Sequence, residues 1–466
     1  MLFKKKQEVS RQEIFENMNA SKAILSLAIP NILNQLVNIV YNLADTLYIG
    51  QLNNPSMVAA LTLSTTVMIA LTAFCNLLVV GGCAVISKAL GAGDKKRAED
   101  VASHCPILAV CIGIVLGGVV LLFLEPLSWF AGATESCIEY TKEYLFWVIG
   151  LNAIPNLLGT TLGAGLRGRG YSKYEMIGLS FGNVLNIILD PIFIFGMDMG
   201  VKGAAMATWI SSMCSMILFM FICQRMQKKE HLYTPWKEFK FDWGIVKDVL
   251  SIGFPAWLHQ IITSYVNMSF MKVVKEYSDA AIAAVGIARK LEHVAGQMVI
   301  GLYQGCIPLI SYNYGNRNYN RMNEIRKKSM QIGIIFGCFA IAVLFPFARQ
   351  FARLFIKEEV TVKFATLFVR VYSTLPLCMA INNNCRTTYQ AIGNKKQSTA
   401  ISIIRNLVLF LPLIYIFNHF FGINGVIFAQ PTADALIDIY SIIAAEKVMK
   451  QIKAEFENTE ISTKNA

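Results

Sequence analysis

The chain has 466 residues; 55% are hydrophobic and 15% are charged, against about 25% charged in a soluble domain. That balance excludes a soluble globular enzyme and fits a polytopic membrane protein. The net charge of +12 does not mark a nucleic-acid surface, because the cations are spread over many loops rather than gathered in one stripe.

Residues 1–22 are polar and carry Lys4, Lys5, Lys6, Arg11 and Lys22. No short apolar core with a small-residue cleavage site follows, so no signal peptide is expected. Spanning helices are expected near 23–49, 57–87, 105–125, 139–163, 174–196, 203–224, 246–272, 280–310, 328–348, 362–385, 399–419 and 424–446, each near or above the length that a bilayer requires. The eleven cysteines fall mostly inside these segments without metal-site spacing and read as small core residues. An even number of crossings puts both termini on one side. Loops on that side hold 30 Lys and Arg, and the opposite loops hold 8. By the positive-inside rule both termini are expected on the cytoplasmic side.

The second half repeats the first. "SLAIPNILNQL" (26–36) matches "SIGFPAWLHQI" (251–261), and "SKALGAGDKKRAED" (87–100) matches "SYNYGNRNYNRMNE" (311–324). "GYSK" (170–173) matches "GNKK" (393–396), and "GVKGAAMAT" (200–208) matches "GINGVIFAQ" (422–430). The expected fold is therefore an all-α polytopic membrane protein, with 12 transmembrane helices in two pseudo-symmetric six-helix bundles. Residues 1–224 form the first bundle, 225–244 a cytoplasmic linker, 245–450 the second bundle and 451–466 a polar tail. In the linker, Trp236 and Trp243 are placed at the headgroup level. Two similar bundles around a cleft, related by an axis along the membrane normal, are the mechanics of a secondary transporter. No phosphate-binding loop for an ATP-driven pump occurs.

Two acids break the apolar pattern. Asp45 is the only charge between Ala23 and Ile49, and Asp190 stands in "NIILDPIFIFG" (186–196). A carboxylate at the centre of a spanning helix costs about 2.5–3.5 kcal/mol. The second half has Phe270 opposite Asp45, and uncharged residues around Leu411 and Pro412 opposite Asp190. A need of the scaffold would be shared by both halves, so the difference points to function. Asn186 is one turn before Asp190, Asn38 and Asn42 share the face of Asp45, and Thr208 adds a hydroxyl. Such oxygens are hard ligands for Na⁺, and desolvated carboxylates can instead carry H⁺. The plain structural alternative, capping by Asp45 and helix packing by Asp190, is the weaker one.

"VNIVYNLADTLYIGQL", "GLRGRGYSKYEMIG" and "NIILDPIFIFGMDMGVKGAAMAT" resemble the multidrug and toxic compound extrusion (MATE) family, in particular its MepA-like bacterial branch. The resemblance covers nearly the whole chain. It implies efflux of cationic drugs in exchange for Na⁺ or H⁺, with a cation site at Asp45, Asn186, Asp190 and Thr208 and no cofactor. Other branches carry acids in the seventh and tenth helices. Those helices here, "GFPAWLHQIITSYVNMSF" and "LPLCMAINNNCRTTYQAIG", have none, so a second-bundle cation site of that kind is not expected.

Candidate substrate contacts are Asn152 and Asn156 on the fourth helix and Arg289, Glu292 and Met298 on the eighth. Arg289 and Glu292 either line the cleft or form a local ion pair. Arg405 is expected to neutralise Asp434 or Asp438. Several of Met176, Met197, Met199, Met206, Met213, Met216, Met220 and Met298 are expected to face the cleft, where thioethers re-pack around varied ligands. The expected function is secondary antiport of amphipathic, mainly cationic organic compounds by alternating access. The partners are small molecules and the lipid bilayer, with no nucleic acid and no obligate protein partner. The alternative is a flippase for lipid-linked precursors. A membrane-embedded enzyme finds no support in the five scattered histidines, none in an H-E-x-x-H pattern.

Overall fold

The computed structural model describes residues 12–52, 54–235 and 238–464. Trp236, Lys4, Lys5, Lys6 and Arg11 lie outside the described residues. All regular structure among the described residues is helical. The first half contains α1 (Ala20–Gly50), α2 (Pro55–Gly91), α3 (Lys95–Leu122), α4 (Leu124–Phe130), α5 (Ile138–Leu145), α6 (Ala153–Gly168), α7 (Ser172–Pro191) and α8 (Gly200–Glu230). The second contains α9 (Trp243–Lys275), α10 (Asp279–Gly315), α11 (Tyr319–Leu344), α12 (Ala348–Phe355), α13 (Glu359–Tyr372), α14 (Leu375–Ile392), α15 (Lys395–Ile403) and α16 (Leu411–Lys464).

Nine helical stretches among the described residues are long and apolar enough to cross a bilayer. The pair Ile138–Leu151 and Ala153–Gly168, bent by 43°, makes a tenth. The more polar α9 has 33 residues, about 50 Å of helix at 1.5 Å per residue, and is the eleventh. The last stretch crosses twice, because Gly422, at φ 59° and ψ −146°, leaves the helical region and turns the chain back. Twelve crossings result.

The helices differ from the expected ones in regularity and in length. The fourth crossing passes through a π-helical segment, Phe146–Leu151. The fifth ends in another, Ile192–Gly196, directly after Pro191, where the ring removes a backbone donor. A third, Ile404–Phe410, joins α15 to α16. The expected ends near 163 and 385 fall short: α6 runs to Gly168 and α14 to Ile392. Arg and Lys are good helix formers, so a charge near a loop does not by itself end a helix. Here Arg167 is drawn inside, 2% exposed, and Arg386 joins the second bundle. The polar tail continues α16 through Lys464, with Ile452 and Phe456 buried. Trp243 is exposed at the start of α9.

The repeat is visible in the backbone. Gly93 (φ 77°) and Arg317 (φ 53°) hold equivalent turns. The next residues, Asp94 and Asn318, cap α3 and α11 by accepting from Arg97 N and Arg321 N. Gly170 (φ 86°) and Gly393 (φ 79°) form a second matching pair. The bundles touch through equivalent helices, α1 against α10 and α9 against α2. A Cβ on Gly305 would lie 2.7 Å from Ala28 Cα, and one on Gly81 would lie 2.2 Å from the Val249 carbonyl oxygen. Across the axis, a Cβ on Gly91 would meet the Tyr312 oxygen at 1.9 Å and one on Gly315 the Lys88 oxygen at 2.1 Å. These approaches lie in the half of the molecule nearest the termini, so that side is sealed. Arg97 and Asp248 add an ion pair across the seal at 2.5 Å. A π-helical turn, Glu13–Asn17, docks on the second bundle: Phe15 stacks on Tyr312, and Asn313 Nδ2 donates to the Phe15 carbonyl at 3.1 Å.

Candidate functional site

Inside the first bundle lies a polar cavity of about 420 Å³. One face of α1 supplies Asn34, Gln35, Asn38, Tyr41 and Asn42, a helical spacing that points amides and a phenol inward. From the bent fourth crossing come Asn152 and Asn156, and from α7 and α8 come Asn186 and Thr208. The bend is useful here: a straight helix has no unpaired backbone to spare, and the π segment just before Asn152 turns α6 toward the cavity. Asn156 Oδ1 accepts from Cys75 Sγ at 3.1 Å, while Asn152 Oδ1 is buried without a partner.

Of the four expected cation ligands, Asn186 and Thr208 line the end of this cavity farthest from the termini and Asp190 is bonded to Asn186 there, while Asp45 lies near them without a hydrogen bond to any of the three among the described residues. The Asn186 amide satisfies its neighbours in one orientation: Nδ2 donates to Asp190 Oδ2 at 2.9 Å, and Oδ1 accepts from Thr208 N at 3.0 Å. Thr208 Oγ1 donates to the Ala204 carbonyl at 3.0 Å. Asp190 is fully buried, and its Oδ1 has no hydrogen-bond partner. Asp45, 9% exposed, is close enough that the two carboxylates repel each other. Two tyrosines complete the shell: Tyr41 lines the cavity beside Thr208, and both Tyr41 and the buried Tyr144 sit in the field of Asp45 and Asp190. Tyr41 was readable in principle, since it stands one turn before Asp45 on the same face. Tyr144 gave no such signal; it comes from a different helix.

The opposite end of the cavity is closed by a buried ion pair that the sequence analysis missed. Arg167 Nη1 donates to Glu175 Oε1 at 2.8 Å, with the two side chains 3% and 4% exposed. Both residues stand next to the turn at Gly170, so they read as loop charges. Arg167 Nε and Nη2 and Glu175 Oε2 are buried without partners. The second half has Gln390 and Ser398 at these positions, so this pair too belongs to one bundle only.

The model of the MatE family matches the chain twice, over residues 30–192 and 255–416. The chain belongs to the MatE family. The two matched segments are the two bundles, one family unit each. Multidrug export protein MepA of Staphylococcus aureus is 29% identical over 429 residues, covering 92% of this chain and 94% of that protein. MepA of Staphylococcus haemolyticus is 28% identical over 434 residues, covering 92% and 95%. An outward-facing structure of a multidrug resistance MATE family transporter superposes with a TM-score of 0.90 at 25% identity, covering 97% of this chain and all of that one. Membership makes the protein a transporter and not an enzyme, with the two-bundle MATE fold.

In this MatE protein the second bundle is built differently. Arg405 makes a bidentate pair with Asp434, Nε to Oδ1 at 2.6 Å and Nη2 to Oδ2 at 3.1 Å, as expected for one of the two acids on that helix. Arg289 and Glu292 form no ion pair within 4.0 Å among the described residues. Arg289 Nη1 instead donates to Asn267 Oδ1 at 3.1 Å, and its guanidinium lies 4.3 Å over Phe270, the residue equivalent to Asp45. Glu292 faces Arg289, Asp434 and Arg405. Neither residue lines the first-bundle cavity, and Met298, half-buried on α10, does not line it either. The methionine on that cavity is Met68; Met197 and Met220 are exposed on the outer surface.

Proposed function

We propose that the protein is a secondary multidrug exporter of the inner membrane, exchanging amphipathic, mainly cationic organic compounds for Na⁺ or H⁺. The observation that carries this reading is Asp190, fully buried with one carboxylate oxygen unpartnered, beside Asp45 and at the end of a polar cavity. Two close carboxylates in a protein interior cannot both stay charged without a cation or a proton. The donor set fits a monovalent claimant: two carboxylates with neutral amide and hydroxyl oxygens. Among the described residues no group of three or more His, Cys, Asp or Glu side chains is placed to hold a metal ion.

An organic cation in the cavity and the coupling ion at Asp45, Asn186, Asp190 and Thr208 compete for the same negative charge. Occupation by one favours departure of the other, which is the requirement for exchange. Asn152 and Asn156 offer hydrogen bonds to the organic compound, and Arg167–Glu175 closes the cavity on the terminal side. We place residues 1–224 and 245–450 as the bundles that rock against one another, joined by 225–244, with both termini in the cytoplasm. The sealed terminal side then corresponds to a state open to the outside.

The test is uptake of a fluorescent organic cation by everted vesicles, with Na⁺ and H⁺ gradients imposed separately. One gradient should drive transport, and Asp190→Asn should abolish the coupled flux while the protein accumulates normally. Gradient-driven transport at wild-type rate in Asp45→Asn and Asp190→Asn would sink the proposal.

A further inference from the structure

A second cavity, of about 70 Å³, lies inside the other bundle, among His259, Asn382, Asn383, Arg386, Arg405 and Asp434. Its chemistry is the reverse of the first. The single carboxylate on it, Asp434, spends both oxygens on Arg405. Arg386 has no carboxylate within 4.0 Å among the described residues; its Nη2 donates to the Asn383 side-chain oxygen, and its Nε is buried without a partner. The charged group that bears on Arg386 is another cation, Arg405. Two further polar atoms on the cavity are unpartnered: Nδ2 of Asn382, a residue 6% exposed, and Nδ1 of His259, which both arginines face.

A half-buried guanidinium whose Nε is buried and unpartnered, and which has no counter-charge, is held at a cost that an anion would offset. Orphaned donors gathered around one cavity are likewise unusual unless something accepts from them. The volume exceeds the roughly 10–15 Å³ of such space that one water requires, so a small ion fits and a drug-sized molecule does not. At the equivalent positions the first bundle has Asn34 for His259, Gly163 for Arg386 and Asn183 near Arg405. The positive charge is therefore a property of the second bundle and not of the shared scaffold.

We infer that the second-bundle cavity binds a compact monovalent anion, held by Arg386 with Asn382 and His259. The anion is either chloride or a small free carboxylate such as acetate. The inference concerns a site separate from the first-bundle acids and stands whichever cation those acids use.

The experiment is thermal unfolding of the purified full-length protein, with Na⁺ constant and the anion varied from gluconate to chloride or acetate. The melting temperature should rise saturably with chloride or with acetate. A chloride response assigns chloride; a response to acetate but not chloride assigns the carboxylate. Arg386→Gln should weaken the response by about tenfold or more, the loss expected for a charge-assisted hydrogen-bonding partner, and Arg386→Lys should retain part of it. In gluconate, Arg386→Gln should melt no lower than wild type, because it removes an uncompensated charge. If that variant does not accumulate, Asn382→Leu replaces it, with the same loss of response expected. No response of the wild type to either anion overturns the inference, as does an undiminished response in Arg386→Gln or in Asn382→Leu.

Discussion

Replacing Gly91 by alanine perturbs the seal between the bundles at one of its two tightest points. The added Cβ would stand 1.9 Å from the Tyr312 carbonyl oxygen and 2.7 Å from the carbonyl carbon, whereas real Cβ atoms keep at least 3.0 Å from such neighbours. The two backbones must therefore separate by about 1.1 Å, and neither is a flexible side chain that can step aside. Overpacking of this kind costs about 1–3 kcal/mol. The contact is made only where the bundles meet on the terminal side, so the cost falls on the sealed state and not on either bundle alone. A shift of 1–3 kcal/mol changes the ratio of two conformations by roughly 5- to 150-fold. Spin labels at Lys96→Cys and Asn320→Cys, exposed equivalent positions on the two bundles, report the separation by electron–electron distance. Gly91→Ala should enlarge the long-distance population, and Gly315→Ala should do the same, since its Cβ meets Lys88 O at 2.1 Å. Gly118→Ala, with nothing within 4 Å, is the control. An unchanged distance distribution in both variants would refute the argument that these glycines permit the sealed state.

Glu175→Gln leaves Arg167 buried and uncompensated and should lower stability by about 3–5 kcal/mol, whereas replacing both residues by apolar ones of similar size should cost far less; thermal unfolding of the single and double variants checks this. Phe15→Ala removes a ring that is 2% exposed and stacked 4.5 Å from Tyr312, about 1.5–3 kcal/mol of burial. Amide exchange at Glu13–Asn17 should quicken while that of α10 stays unchanged; equal exchange in both proteins would mean that the segment docks by other means. Single cysteines at Asn54 or Asn424 should react with impermeant reagents from outside intact cells, and those at Asp94 or Asn394 should not. The reverse pattern would overturn the placement of the termini.

The sequence by itself determined the fold class, because apolar length and the repeat are properties of the linear chain. A bilayer accepts only helices whose backbone groups are satisfied internally, so every long apolar run had one structural outcome. The match of 87–100 with 311–324 was legible for the same local reason, and the structure places equivalent turns and caps there, Gly93 with Asp94 and Arg317 with Asn318. Asp45 and Asp190 stood out because a charge in an apolar run is costly wherever the run goes. Tertiary structure decided which side chains meet. Arg289 and Glu292, three residues apart, could either line the cleft or pair with each other, yet Asn267 on α9 and the ring of Phe270 take the guanidinium. Arg167 and Arg386 read as loop cations because each stands close to a turn. Their helices continue instead, and the bundles draw both charges inward. Arg167 finds Glu175 eight residues away across the turn at Gly170, while Arg386 faces a cavity built from four other helical segments. A single sequence records how costly each buried charge is, but the partner that offsets it comes from another helix, and only packing brings the two together.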